Sequence, residues 1–259
     1  MIPSHPWAVA SLVYFAYLAA AAAVRTGLFT GARVRVWIGA AIGLAVSAIA
    51  ASVTSFWLRD VLLPPVLLLT AYWTSGLSWV RPMPRVERWL GAFDRRLRVP
   101  EIAARLPRVL SGFFELAYVG VYPLIPIALM LELIGSARPD ATRFWTVILI
   151  TDYICFAMLP WIQTRPPRVL ESGPYNSRLR AFNLALLGHA SIGVNTVPSG
   201  HAAEGLAVAL LLSDAHPGIA ATMAFSAVAI SAATVLGRYH YALDALAGWA
   251  VAIAVWHLV

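Results

Sequence analysis

Apolar residues run in long blocks from one end of the chain to the other, and polar residues gather in the gaps. Eight blocks stand out, at 7–24, 34–57, 61–80, 112–134, 142–162, 201–213, 218–236 and 240–258. A helix of about twenty residues, rising about 1.5 Å per residue, crosses the roughly 30 Å hydrocarbon core of a bilayer. The pattern therefore predicts an all-α fold, a polytopic transmembrane helical bundle of about eight spans. The block at His201 is short, so its first turn takes in part of the preceding loop. Pro64, Pro65, Pro123 and Pro126 predict local kinks, which neighbouring helices tolerate inside a membrane. No internal repeat is visible, and residues 1–259 read as a single membrane domain.

Two stretches interrupt the pattern. Residues 81–111 carry eight arginines, with Pro82, Pro84, Pro100 and Pro107 and interleaved Trp89, Leu90, Phe93 and Leu97. This composition suits a basic interfacial segment whose apolar side lies among lipid headgroups. Residues 163–197 form the longest remaining connection, within which Leu179–Leu187 predicts a short amphipathic helix. Loops of this length are commonly functional, and this one leads into Pro198-Ser199-Gly200-His201, which favours a lid or substrate entrance. The chain thus divides into N-terminal spans (1–80), the interfacial segment (81–111) and a core carrying the chemistry (112–258).

Composition agrees with a membrane protein. Sixty per cent hydrophobic residues, 12% charged and a mean hydropathy of +0.75 lie outside the range of soluble domains. All nineteen basic residues are arginine, giving a net charge of +7. They lie between apolar blocks, so the charge is not a nucleic-acid signal. A single cysteine, Cys155, excludes an internal disulfide and a cysteine-based metal site, and reads as a small buried hydrophobe. The tryptophans, among them Trp73, Trp79, Trp89 and Trp161, read as interface anchors.

Counting crossings brings three polar motifs to one face. Residues 163–200 follow the fifth block, the next block leaves that face, and the block at 218–236 returns to it at Gly237–His240. Sixteen of the nineteen arginines fall on this face; Arg59, Arg138 and Arg143 fall on the other. By the positive-inside rule the site is expected on the cytoplasmic side of a bacterial inner membrane.

The motifs suit covalent phosphoryl transfer, with no metal or other cofactor called for. His240 and Asp244 are four apart and share a helix face. A carboxylate on one ring nitrogen makes the other a better nucleophile, so a phosphohistidine can form at His240. His201, at a helix start, can protonate the leaving oxygen and then activate an acceptor. Ser199 offers a hydroxyl, Gly200 a close backbone approach, and the helix N-terminus a favourable dipole for phosphate. Arg165, and Arg168 or Arg238, are candidates to hold the equatorial oxygens. Glu204 and Asn195 are supporting candidates, Glu204 tuning His201 and Asn195, with His189, touching headgroup or acceptor. Asp152, costly in hydrocarbon, should face the protein interior or a watery cavity.

These motifs resemble those of the type 2 phosphatidic acid phosphatase superfamily. Pro198-Ser199-Gly200-His201 match its middle motif, His240 and Asp244 its last, and Arg165-Pro166 the end of its first. The resemblance covers about residues 112–258 and implies a six-helix phosphatase-like core. It also implies no metal, with His240 as nucleophile, Asp244 as its partner and His201 as acid/base. Met158 stands where the family has lysine, and Ala233-Thr234 where it has Ser-Arg, so Arg168 and Arg238 are expected to replace the lost charges. The surviving pattern is more similar to the inositol phosphorylceramide synthase-like branch. Two activities follow as expectations: a metal-independent lipid-phosphate phosphatase, or a phosphotransferase moving a headgroup between membrane lipids. A non-catalytic lipid-phosphate carrier is the rival, but simple anion binding needs arginines rather than two histidines and a carboxylate.

Overall fold

The computed structural model describes residues 5–135, 139–171 and 173–259. Arg138, counted above on the far face, lies outside the described residues, as does Ser172 of the long connection. Among the described residues the chain is helical with no β-strand; one isolated antiparallel bridge joins Thr164 and Asn195.

All eight apolar blocks are helical. Helices α1 (Pro6–Val24) and α2 (Thr30–Ser52) pack together, and a π-helical turn (Trp57–Leu62) leads into α3 (Leu63–Gly76). The basic segment forms α4 (Pro84–Arg96) and α5 (Val99–Ala104). The fourth block is split between α6 (Arg108–Val119) and α7 (Leu124–Gly135), bent by 71°. Pro123 has no N–H to continue the ladder, and the break turns Tyr118, Val121, Tyr122 and Ile125 towards a common cavity. Next come α8 (Ala141–Ala157), the short α9 (Pro167–Leu170), α10 (Arg178–Ala190), α11 (Gly200–Leu211), α12 (Pro217–Leu236) and α13 (Ala242–Leu258).

Three helices, α1, α2 and α12, are long and apolar enough to cross a membrane alone; the bent α6–α7 pair makes a fourth if taken as one broken span. That marks an integral membrane protein; the other apolar blocks form shorter or interrupted helices. At 12 residues, α11 rises only about 18 Å.

The centre of the bundle is α8, packed against α1, α11 and α13, with Phe144, Trp145, Ile148 and Leu149 almost entirely buried. Tyr153 of α8 stacks on Tyr14 of α1, ring centroids 4.2 Å apart, and shares a 2.8 Å hydrogen bond with Ser11. Cys155 is buried, as expected.

The segment 81–111 departs from a simple apolar-in pattern. Trp89 and Leu97 are exposed, as an interfacial helix requires, while α4 buries Glu87, Leu90, Gly91 and Asp94. Two of those four are carboxylates, and what they grip decides the composition of the site. The predicted helix in the long connection is α10, begun by Ser177, whose hydroxyl accepts the Arg180 N–H at 3.0 Å. Its inward Arg180 and Asn183 donate to the buried Glu115 of α6 at 3.1 and 2.6 Å. Tyr239 and Tyr175 donate to the same carboxylate at 2.6 and 2.8 Å. Burial and this carboxylate neighbour both push the Tyr239 and Tyr175 phenols well above their ordinary values. The segment proposed as a lid is pinned at its root by one glutamate.

Candidate active site

The C-terminal ends of α3, α6, α8 and α10, the N-terminal ends of α7 and α11, and the turn between α12 and α13 meet around a cavity of about 320 Å³. Its polar lining includes His201, His240, Arg168, Glu204, Thr196 and Gly200; Leu68, Tyr72, Tyr118, Tyr122 and Ile125 contribute to its less polar side.

Each histidine is set by local backbone chemistry. Ser199 caps α11, its hydroxyl accepting the Ala202 N–H at 3.4 Å, while the Gly200 N–H donates to Thr196 Oγ1 at 3.3 Å. His201 therefore leaves the first turn of α11 towards the cavity, flanked by Tyr118 and Tyr122 with ring centroids at 5.4 and 5.8 Å. His240 follows a tight turn in which Arg238 adopts φ +61°, and the Tyr239 and His240 N–H groups both donate to the Thr234 carbonyl at 2.9 Å. The two imidazoles lie 6.0 Å apart, centroid to centroid, inclined by 58°.

The two motifs are also locked through the backbone. The Ser199 N–H donates to the Asp244 carbonyl at 2.9 Å. Gly248, one turn further along α13, meets the start of α11 so closely that an added Cβ would lie 2.5 Å from the Ser199 carbonyl oxygen. Only glycine permits that approach.

Asp244 is buried in the first turn of α13 and its Oδ2 serves three neighbours. It accepts the Tyr241 N–H at 3.0 Å and Asn195 Nδ2 at 2.8 Å, and lies 3.7 Å from His240 Nδ1. The third approach is a contact that must tighten to become a hydrogen bond. His240 Nδ1 and the buried His201 Nε2 have no protein hydrogen-bond partner. Asn195 does not line the cavity: it spans Thr164 Oγ1, at 3.0 Å, and Asp244, so it orients the carboxylate rather than touching a headgroup.

The three candidate arginines separate cleanly. Arg168 lines the cavity, its backbone N–H bonded to the Arg238 carbonyl at 2.8 Å and its guanidinium 5.5 Å from the Tyr239 ring centroid. It has no carboxylate partner among the described residues. Arg238, expected to replace a lost phosphate ligand, is instead buried away from the cavity, bonded to Asp94 of α4 at 2.5 Å and to Glu171 at 2.9 and 3.0 Å. Arg165 is clasped in a bidentate pair by Glu87, at 3.0 and 2.8 Å, and does not line the cavity. That guanidinium holds the Glu87 carboxyl below its ordinary value. Glu87 of α4 holds Arg165, while Asp94 of α4 together with Glu171 of the long connection holds Arg238.

Ser199 is spent on capping and does not line the cavity, whereas Gly200 does. Glu204 lines it too, while Asp152 of α8 is fully buried. Asp152 thus faces the interior as expected, with no protein donor on either oxygen. His189 is exposed on α10, bonded to the Ala185 carbonyl, and takes no part in the cavity. Thr196, Tyr118, Tyr122 and Tyr72 line the pocket without having been singled out in the sequence; only the nearness of Thr196 to the Pro-Ser-Gly-His motif pointed to one of them.

The fold and pocket define a helical membrane protein with paired histidines facing an anion-sized cavity. A sequence model described as the PAP2 superfamily matches residues 81–258, and the chain belongs to that superfamily, whose members are generally phosphatases or phosphotransferases. The match takes in the basic segment ahead of residue 112, where the motif resemblance began. No curated protein and no solved structure matches the chain significantly.

Proposed function

We propose that the protein is a metal-independent lipid-phosphate phosphatase working through a phosphohistidine at His240. The observation that carries this reading is the pair of imidazoles 6.0 Å apart on the wall of one cavity that also receives the unpaired Arg168. Asp244 approaches His240 at Nδ1, which leaves Nε2 for the phosphorus. In the first step Nε2 bonds to phosphorus, the bond from phosphorus to the lipid oxygen breaks, and protonated His201 gives its proton to that oxygen. Asp244 stabilises the positive ring that results. Neutral His201 then takes a proton from water as the water oxygen attacks phosphorus; the P–N bond breaks and phosphate leaves. Arg168 and the positive end of the α11 dipole stabilise the charge gathered on the equatorial oxygens.

An intermediate at the same nitrogen supports headgroup transfer: the phosphorus keeps its headgroup as the bond to the donor lipid oxygen breaks, and an alcohol-bearing lipid replaces water. The Arg165-Pro166-Pro167-Arg168 run and Ala233-Thr234 ahead of His240 favour that second reading, of the inositol phosphorylceramide synthase type. The arginine distribution supports a cytoplasm-facing site in a bacterial inner membrane.

Acid-quenching the reconstituted protein during turnover of a radiolabelled lipid phosphate should leave acid-labile label on the peptide containing His240. Turnover with no trapped label, and undiminished in His240→Ala, overturns the mechanism. Lipid mass spectrometry with alcohol acceptors separates the two readings: a new phosphorylated lipid marks transfer, while inorganic phosphate and only a dephosphorylated lipid mark hydrolysis.

A further inference from the structure

All eight arginines of residues 81–111 are exposed, and none has a carboxylate partner among the described residues, whereas Arg165, Arg180 and Arg238 are all paired. Glu101 is the one exposed carboxylate of this segment, since α4 buries Glu87 and Asp94. The charge does not lie on a plain polar face. Arg85, Trp89 and Arg96 project from the side of α4 opposite Glu87, Leu90 and Asp94. Leu97, Ile102, Val109 and Leu110 are exposed along the rest of the segment. Water suits the arginines but not the apolar residues between them. The headgroup layer of an anionic leaflet takes both, with guanidiniums on the phosphates and the indole and aliphatic side chains below them.

The inner face of the same helix is tied to the chain on either side of the histidine pocket. The Met83 N–H donates to the Gln163 carbonyl at 2.7 Å, and Glu87 Oε1 accepts the Arg165 backbone N–H at 2.8 Å. Asp94 accepts from Arg238 through Oδ2 at 2.5 Å and from the Ala242 N–H through Oδ1 at 2.9 Å, so it grips the chain both before and after His240. A shift of α4 on the membrane surface is therefore passed to the turn that carries His240. The 3.7 Å approach of Asp244 to that ring is the contact left to tighten. We propose that the outer face of α4 and α5 binds the anionic headgroups of surrounding lipids, and that this contact seats α4 so that Asp94 and Glu87 hold the His240 turn in its working geometry. The lipid is an effector and not the substrate, because none of these arginines lines the cavity. Lipid that binds the seated helix more tightly than a lifted one shifts the protein towards the seated form by that difference. The effect on rate rests on the phosphatase reading above; the binding surface does not.

The test uses full-length protein in phosphatidylcholine liposomes, with and without phosphatidylglycerol, and follows phosphate release from dioleoyl phosphatidic acid and farnesyl phosphate at fixed surface fractions. Phosphatidylglycerol should raise kcat by about fivefold or more, the lower end of ordinary coupling between two sites. A chain carrying Arg85→Gln, Arg88→Gln, Arg95→Gln and Arg96→Gln together should keep the wild-type rate in pure phosphatidylcholine and lose the rise. All four side chains are exposed, so the fold carries no burden from the changes. Native mass spectrometry from detergent reads binding separately: the wild type should retain phosphatidylglycerol over phosphatidylcholine, and the fourfold variant should not. A rise that persists in the variant, equal retention by both proteins, or retention lost with no change in rate overturns the proposal and leaves the phosphatase reading standing. So does a fall in wild-type rate with phosphatidylglycerol that the variant relieves, which would make the patch a gathering surface for the substrate itself. Should neither ester release phosphate, the phosphatase reading fails on its own, and the retention measurement still decides the lipid surface.

Discussion

The histidine cavity and the α4 face lie side by side and are both rich in charge, yet they use it in opposite ways. On α4, Glu87 and Asp94 meet Arg165 and Arg238 in close pairs, and nearby Glu115 gathers Arg180, Asn183 and two tyrosines. In the cavity, Arg168 has no carboxylate partner among the described residues, His201 Nε2 has no hydrogen-bond partner among them, and His240 Nδ1 has only the 3.7 Å approach of Asp244. A buried polar group without a partner costs about 1–3 kcal/mol, so a fold keeps several together only where something else answers them. The contrast is one of paired and unpaired charge, and the proposed phosphate site falls on the unpaired side.

The largest effect that tests this contrast is at the proposed nucleophile. His240→Ala should lower turnover by at least about 10⁴-fold with little change in thermal midpoint; phosphate release and unfolding scans on the same detergent sample read both. A large fall in midpoint would move His240 to the structural side. Next, Asp94→Ala leaves the Arg238 guanidinium with only the part-exposed Glu171. Stability should fall by about 3–5 kcal/mol, as for other broken buried pairs, measured by denaturant titration in detergent. If Asp94→Ala instead leaves stability intact and abolishes turnover, the division between the two regions is wrong.

Arg168→Ala should cost about 10²–10³-fold in kcat with the fold unchanged, and Arg168→Lys should recover part of it. Arg165→Ala, already neutralised by Glu87, should cost less than about tenfold, since its charge reaches phosphate only at long range. Reversed magnitudes for the two arginines would show that Glu87 releases Arg165 to the substrate.

The smallest effect is a pH dependence at Glu87. Its carboxyl is held below the ordinary value by Arg165, so the clasp contributes fully above the unfolded value of about 4.3 and is lost as pH falls through the lowered folded value. A thermal midpoint followed downwards from neutral pH should therefore drop at the acid end, and Glu87→Gln should remove that component.

The residues show where sequence reasoning reaches and where it stops. The apolar blocks were legible because a helix in lipid must be apolar along its whole length, and every block became helix. The nearness of His240 to Asp244 was legible because four residues of spacing at a helix start is also nearness in space, and that of His201 followed from counting crossings. Span lengths were less so, since several blocks became shorter or interrupted helices. The 71° break between α6 and α7 was foreseeable at Pro123 as a kink, but not in its angle.

The chain's order alone determined a helical membrane protein with a phosphoryl-transfer motif, because periodicity and capping are local properties of neighbouring residues. Which arginine faces the cavity was decided only by the tertiary structure. Arg165 and Arg238 find Glu87 and Asp94 across 78 and 144 residues of chain, and Asn195 finds Asp244 across 49. An ion pair or a buried hydrogen bond needs its two groups within a few ångströms, and no pattern along one strand of sequence records which distant helix will bring the second group there.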